Sequence, residues 1–167
     1  MSDVPQRQTT SPDPRGYFGI AIYGAKHDGN VGSLWRTANS YGAAFLATVG
    51  QRYGHQPSDT GKASLHTPLL HYASVEDLLV HLPVGCSLIG VELDPRATPL
   101  EEFVHPPRGL YLLGAEDKGL PTQVLDQCDY LVEIPTARIS SLNVSVAGGI
   151  VVHSRFLALR RTVAHAT

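Results

Sequence analysis

The strongest constraint on the fold is a set of short apolar runs without polar alternation, at 17–23, 44–49, 86–93, 109–114 and 130–134. A strand with one wet face alternates apolar and polar residues. A strand covered on both faces does not, and that pattern belongs to parallel sheets sandwiched between helices. The intervening stretches supply such helices. Val31, Leu34, Ala38 and Tyr41 recur at i, i+3, i+7 and i+10, which predicts a helix over 30–41 stopped by Gly42. Ser74 is placed to cap a second helix, with Glu76 and Asp77 in its first turn, Leu78, Leu79 and Leu82 as its apolar face and Pro83 as its stop. Pro121 suits the first position of a short third helix. A last helix is predicted over 143–161. Residues 51–68 contain Gly54, Pro57, Gly61 and Pro68 and read as a long loop, which in a compact domain is often functional. The expected fold class is α/β, a mostly parallel sheet flanked by helices.

The 167 residues suit one domain. It is expected over 16–162, after a polar, proline-dotted leader at 1–15 and before a tail at 163–167. The 13 Lys+Arg against 15 Asp+Glu give a net charge of -2, which excludes a wholly basic nucleic-acid binder but not a locally basic face. Cys86 and Cys128 sit in apolar stretches and read as buried free thiols in a reducing compartment. No apolar run reaches the roughly 18 residues of a membrane span, and the leader has no apolar signal region. The expectation is a soluble, cytoplasmic protein. There is no Walker A loop, no G-x-G-x-x-G and no G-x-S-x-G. The eight histidines form no H-x-x-x-H pair and none lies beside a cysteine, so no metal site is expected.

Three segments place polar residues where strands end, the usual ligand position of open α/β sheets. The first, 30–38, opens a helix with Asn30 able to cap it and Arg36 in its second turn. The second, 113–121, brackets acidic residues between Gly114 and Gly119 directly after a strand, which lets a ligand approach backbone closely. The third, 134–147, stops a strand at Pro135 and feeds a helix whose start holds Ser141, Asn143 and Ser145. Free N–H groups at that start suit a polar ligand. Taken singly, each segment also reads as a cap or tight turn with charged tips.

The last helix is unusual. Val144, Val146, Ala147, Ile150, Val151 and Val152 leave almost no polar face in its first turns. A helix apolar all round is buried all round, which in so small a domain points to the sheet on one side and a partner subunit on the other, or to a central core helix. Gly148 and Gly149 inside it would each cost roughly 1 kcal/mol against alanine, and close backbone packing is the expected compensation.

Together and in this order, the three segments resemble the SPOUT superfamily of RNA methyltransferases, in particular its TrmH/SpoU branch of ribose 2′-O-methyltransferases. Asn30, Gly32, Arg36 and Ala38 match N-x-G-x-x-x-R-x-A. Leu112, Gly114, Glu116, Gly119 and Leu120 match L-x-G-x-E-x-x-G-L. Ile134, Pro135, Ser141, Leu142, Asn143, Val144, Ser145 and Ala147 match I-P-…-S-L-N-V-S-x-A. Thr136 departs from the methionine that relatives often carry after Ile-Pro. The resemblance covers 17–161 and implies a C-terminal deep trefoil knot, a homodimer through the last helix, and S-adenosylmethionine bent into the knot loops. It implies catalytic roles for Arg36, Asn30, Glu116, Ser141 and Asn143, with Arg36 completing the partner's site. The cofactor would be held by Leu113, Gly114, Glu116, Gly119, Ile134, Thr136, Ser141 and Leu142.

RNA demands positive charge. Arg36, Lys26, Arg52, Lys62 and Arg138 are the candidates near the implied site, and Arg155, Arg160 and Arg161 follow on the last helix. The small architecture resembles wobble-position enzymes in its economy, so tRNA is the favoured substrate. Ribosomal RNA, a base as methyl acceptor, or a knotted RNA- or cofactor-binding dimer without turnover are the alternatives.

Overall fold

The computed structural model describes residues 16–54, 66–115, 117–138 and 141–164, with side chains as far as Arg161. The expected leader at 1–15 lies outside them, as do most of the 51–68 loop, Lys62 and Glu116. Among the described residues the order is β1 (Tyr17–Tyr23), α1 (Asp28–Ser40), β2 (Phe45–Val49), β3 (Leu69–Tyr72), α2 (Val75–His81), β4 (Ser87–Val91), β5 (Thr98–Pro99), β6 (Arg108–Leu113), α3 (Thr122–Leu125), β7 (Tyr130–Glu133) and α4 (Val144–Ala164). The strands form a seven-stranded sheet in the order β3-β2-β1-β6-β4-β7-β5. Every described pairing between these strands is parallel.

Both faces are buried, as the unbroken apolar runs require. Ile20, Ile22, Leu46, Ile89, Val91, Tyr111, Leu113 and Val132 pack on one side against Val31, Leu34, Trp35 and Ala38 of α1 and Val144, Val151 and Val152 of α4. Ala21, Ala47, Val49, Leu88, Leu110 and Leu112 face the other way, against Val75 and Leu78 of α2 and Val124 and Leu125 of α3. Successive residues of one strand serve opposite layers, so each position is apolar. Burying each Leu or Ile contributes about 2 kcal/mol.

β3 and β5 add two strands to those read from the sequence. β5 has only two residues and includes a proline, which an edge tolerates because one side of an edge strand makes no ladder bond. β3, at the opposite edge, is only partly covered, so neither leaves an apolar run. Ser74 caps α2 as expected, accepting from the Asp77 N–H at 3.2 Å. The Asn30 cap is corrected: α1 begins at Asp28 after His27, placing Asn30 inside the first turn. Pro121 stands at the cap of α3 rather than at its first residue, a shift of one position. α4 continues to Ala164, past the expected end at Arg161 and into the expected tail.

Where α4 crosses α1, a Cβ on Gly148 would lie 2.4 Å from the Leu34 Cδ1, whereas one on Gly149 would meet nothing nearer than Thr37 at 3.8 Å. Close packing therefore explains Gly148 alone. The alternative of a central core helix is corrected, because Val146, Ile150, Phe156 and Leu157 of α4 are exposed. Arg155 departs from a nucleic-acid contact entirely. It is 1% exposed, lies over the Phe18 ring, and donates to the carbonyls of Pro106 (2.6 Å), Pro107 (2.9 Å) and Tyr17 (3.4 Å). Beside it, His105 shares hydrogen bonds with the Tyr111 hydroxyl (2.6 Å) and Ser154 (3.1 Å). Burial, then the Arg155 charge, pushes the His105 pKa down to about 4, and burial pushes the Tyr111 pKa up to about 12. Cys86 is buried, Cys128 is half-buried and both thiols are free. Burial raises both, Cys128 to about 11, so neither is an activated nucleophile.

Candidate active site

A cavity of 250 Å³ opens at the C-terminal ends of β4, β6 and β7, the end at which open parallel sheets bind ligands. Val91, Glu92 and Leu93 come from the end of β4. Leu113, Gly114, Ala115, Asp117, Lys118 and Gly119 come from the end of β6 and the turn after it, and Ile134, Ser141, Leu142, Val144 and Ala147 from the β7–α4 connection and α4. The cavity thus gathers most of the cofactor-binding residues expected from the sequence: Leu113, Gly114, Gly119, Ile134, Ser141 and Leu142. Glu116 lies outside the described residues. Thr136 does not join them; its hydroxyl donates to the Arg138 carbonyl, and it lines an adjoining recess with Asp94, Pro95 and Glu133.

The turn after β6 is a tight hairpin. Gly119 donates its N–H to the Ala115 carbonyl at 2.8 Å and pairs with Ala115 as an antiparallel bridge. Gly119 sits at φ +59°, a conformation that only glycine adopts cheaply. The hairpin closes so tightly that a Cβ on Gly114 would lie 2.2 Å from the Gly119 carbonyl carbon. Both motif glycines are therefore demanded by backbone geometry.

At the start of α4, the Asn143 side-chain oxygen accepts from the backbone N–H groups of Ser145 (3.0 Å) and Val146 (3.4 Å) and from the Ser145 hydroxyl (2.7 Å). Its amide nitrogen donates to the Asn30 side-chain oxygen at 3.1 Å. Asn143 is thus the cap of α4 and a tie to α1, joining the first and third motif segments. Arg36 does not line the cavity. It is exposed on α1 one residue before Thr37, which borders the open stripe of α4 near Gly149.

Lys26, Arg52 and Arg138 all follow strand C-terminal ends and are exposed on the cavity's side of the sheet. Lys26 is ion-paired with Asp117 on the cavity wall, and that hydrogen bond holds the Asp117 carboxyl below its ordinary value. The sequence reading missed three residues here. Lys118 and Asp117 were charged tips of an expected turn. Glu92 was legible only as a lone acid after a β-run, at the ligand end of a parallel strand. Among the described residues no cluster of His, Cys, Asp and Glu has the makings of a metal site, and no helix is long and apolar enough to cross a membrane.

Residues 17–153 match the sequence model of the SpoU rRNA Methylase family. The chain belongs to this family. A 23S rRNA (guanosine-2′-O-)-methyltransferase of Pseudomonas syringae is 46% identical over 148 residues, covering 85% of this chain and 58% of that protein. An AdoMet-bound rRNA methyltransferase from Sinorhizobium meliloti superposes with a TM-score of 0.73 at 25% identity, over 92% of this chain and 59% of that one. A structure described as giving insight into the 2-OH methylation of C/U34 on tRNA has a TM-score of 0.73 at 25% identity, over 88% of this chain and 99% of that one. The chain spans about half the length of most curated relatives it matches.

Proposed function

We propose that the chain is an S-adenosylmethionine-dependent RNA (ribose-2′-O)-methyltransferase, with tRNA as the favoured substrate. The observation that carries this reading is the convergence of the 113–119 and 134–147 motif segments on one cavity, with the 30–38 segment tied to it through Asn30 and Asn143. The cavity suits the cofactor. Leu113, Ile134, Leu142, Val144 and Ala147 offer apolar surface to a purine, and the hairpin glycines bring backbone donors and acceptors within reach. The bound cofactor supplies an activated methyl group. Backbone of Gly114, Ile134 and Leu142, with Ser141, Gly119 and Leu113 around it, holds the cofactor in this reading.

A ribose 2′-hydroxyl is a weak nucleophile that must shed its proton as it attacks, and positioning supplies much of the acceleration. Arg36 meets the developing negative charge on that oxygen. A guanidinium holds its proton tightly and carries a fixed positive charge, so it stabilises an oxyanion more readily than it removes a proton. Asn30, Ser141, Asn143 and Glu116 hold the site and the nucleotide. Lys26, Arg52, Lys62 and Arg138 track the phosphates.

Arg36 is exposed and outside its own chain's cavity, and α4 leaves Val146, Ile150, Phe156 and Leu157 uncovered. Both facts support a homodimer through α4 in which each Arg36 serves the partner's cavity. The deep trefoil knot, proposed for the C-terminal part, is supported by the insertion of β6 between β1 and β4 and by the crowding of the 91–93, 113–119 and 134–144 segments around one cavity. The cytoplasm, where RNA and cofactor meet, is the proposed location.

Ribosomal RNA is the second reading, favoured by the Pseudomonas and Sinorhizobium relatives; tRNA is favoured by the match over nearly the whole of the C/U34 structure. The test is methyl transfer from labelled S-adenosylmethionine to separated tRNA and rRNA from a strain lacking the gene, with nucleosides identified by mass spectrometry. A 2′-O-methylnucleoside from the tRNA pool is the expected product. A base-methylated product overturns the ribose assignment, and cofactor binding without transfer to either pool points to a binding protein.

A further inference from the structure

Glu92 is the first residue after β4 and lines the cavity, yet it belongs to none of the motif segments. Both of its carboxylate oxygens are already engaged by backbone. Oε1 accepts the Leu93 N–H at 3.1 Å and Oε2 accepts the Leu120 N–H at 2.7 Å. The second contact needs the hairpin backbone pressed against the carboxylate, and a Cβ on Gly119 would lie 2.3 Å from Oε2. The glycine of the second motif is thus shaped around Glu92.

A carboxylate accepts about four hydrogen bonds and donates none. The backbone N–H groups take two of these positions and fix the plane of the group. The remaining lone pairs belong to a side chain that faces the cavity, and among the described residues no Lys, Arg or His forms an ion pair with it. A fixed carboxylate with spare acceptor capacity, beside a ligand cavity, is a receptor for donor groups on that ligand. The apolar residues Ile134, Leu142, Val144 and Ala147 come from the β7–α4 side, whereas Glu92 and the hairpin come from the ends of β4 and β6. A nucleoside whose base lies on the first wall turns its sugar toward the second, and a vicinal diol matches the two oxygens of one carboxylate.

We propose that Glu92 is a cofactor-binding residue that accepts hydrogen bonds from the ribose hydroxyls of S-adenosylmethionine. This rests on the function proposed above. The same carboxylate ties β4 to the hairpin, so the ligand site and its supporting loop are set by one side chain.

The test is calorimetric binding to the full chain of S-adenosylhomocysteine, its 2′-deoxy and 3′-deoxy analogues, and an analogue lacking the α-amino group. For the unaltered protein, removing a hydroxyl should weaken binding about tenfold, as expected for a hydrogen bond to a charged acceptor. In Glu92→Ala the parent compound should weaken by a similar factor, and the penalty for the missing hydroxyl should vanish. Glu92→Leu repeats the test with the side chain's bulk kept and both acceptors removed, should the alanine variant fail to fold. A merely structural Glu92 would weaken all four compounds alike and leave the hydroxyl penalty intact, which overturns the proposal. A penalty that vanishes only for the amino group assigns Glu92 to the ammonium and overturns it too. If the unaltered chain binds none of the compounds, the proposed function itself fails, a result distinct from either.

Discussion

The Asn143 side chain reaches back to Asn30, 113 positions earlier in the chain, and donates its amide to the Asn30 oxygen at 3.1 Å while capping α4 with its own oxygen. One residue thereby caps the last helix and ties its start to α1, between Leu142 and Val144 of the cavity lining. Asn143→Ala should cost about 1–2 kcal/mol through the lost cap. Asn30→Ala should cost less, and in the double variant the two costs should sum to more than the measured total by at least about 0.5 kcal/mol. Urea unfolding of the single and double variants checks this. Strict additivity would show that the contact carries no coupling.

Arg36→Ala should lower kcat by at least about 100-fold, the usual loss when an oxyanion-stabilising group is removed. Cofactor affinity should be nearly unchanged, because the proposed role of Arg36 is toward the attacking oxygen of the RNA and not toward the cofactor. Turnover assays paired with calorimetry separate the two. Undiminished turnover would remove Arg36 from the reaction.

Gly148 and Gly149 should respond oppositely to alanine. Gly148→Ala drives a methyl into Leu34 and should cost about 1–3 kcal/mol. Gly149→Ala meets only ordinary contact with Thr37, so in the isolated chain it should gain up to about 1 kcal/mol of helix propensity. Thermal melts read both, and sedimentation reads the association state. A destabilised Gly149→Ala that also dissociates would locate the homodimer contact at this residue.

Arg155→Met leaves the Pro106, Pro107 and Tyr17 carbonyls without their charged donor. The cost should be about 3 kcal/mol or more, while the salt dependence of RNA binding stays as it was. Arg138→Ala, on the exposed rim, should do the reverse: little change in stability and a shallower salt slope. RNA titrations at several salt concentrations, beside denaturation curves, test the pair.

The low His105 pKa ties stability to pH. In the unfolded chain His105 takes up a proton near its ordinary value of about 6.5, whereas in the folded chain it resists until about 4. Between these values the unfolded state binds more protons, so stability is full above about pH 6.5 and falls as pH drops toward 4. His105→Gln should flatten the decline in Tm between pH 6.5 and 4.5. An unchanged slope would assign the decline to other groups.

Much of the fold was legible in the chain because its signals are local. Unbroken apolar runs at Ile20–Ile22 and Leu110–Leu113 announced strands covered on both faces, and Ser74 announced a helix start with its own hydroxyl. The short edges β3 and β5 were not legible, because two or four residues at a sheet edge need no continuous apolar pattern. The site was half legible. Its glycines, Ser141 and Leu142 stand in motif order, but Glu92 lies outside every motif, and Arg155 looks like any surface arginine until Phe18 and three carbonyls surround it.

The sequence by itself determined which residues are apolar on both sides of a strand and where Ser74 starts a helix, and it marked three segments as the candidate site. Only the tertiary structure decided that Glu92 meets Leu120, that Asn30 answers Asn143 rather than capping α1, and that Lys26 faces Asp117. Periodicity and capping are set by neighbours within a turn or two. These contacts join residues brought together when parallel strands end at one edge of the sheet, and no spacing along the chain records which loops will meet there.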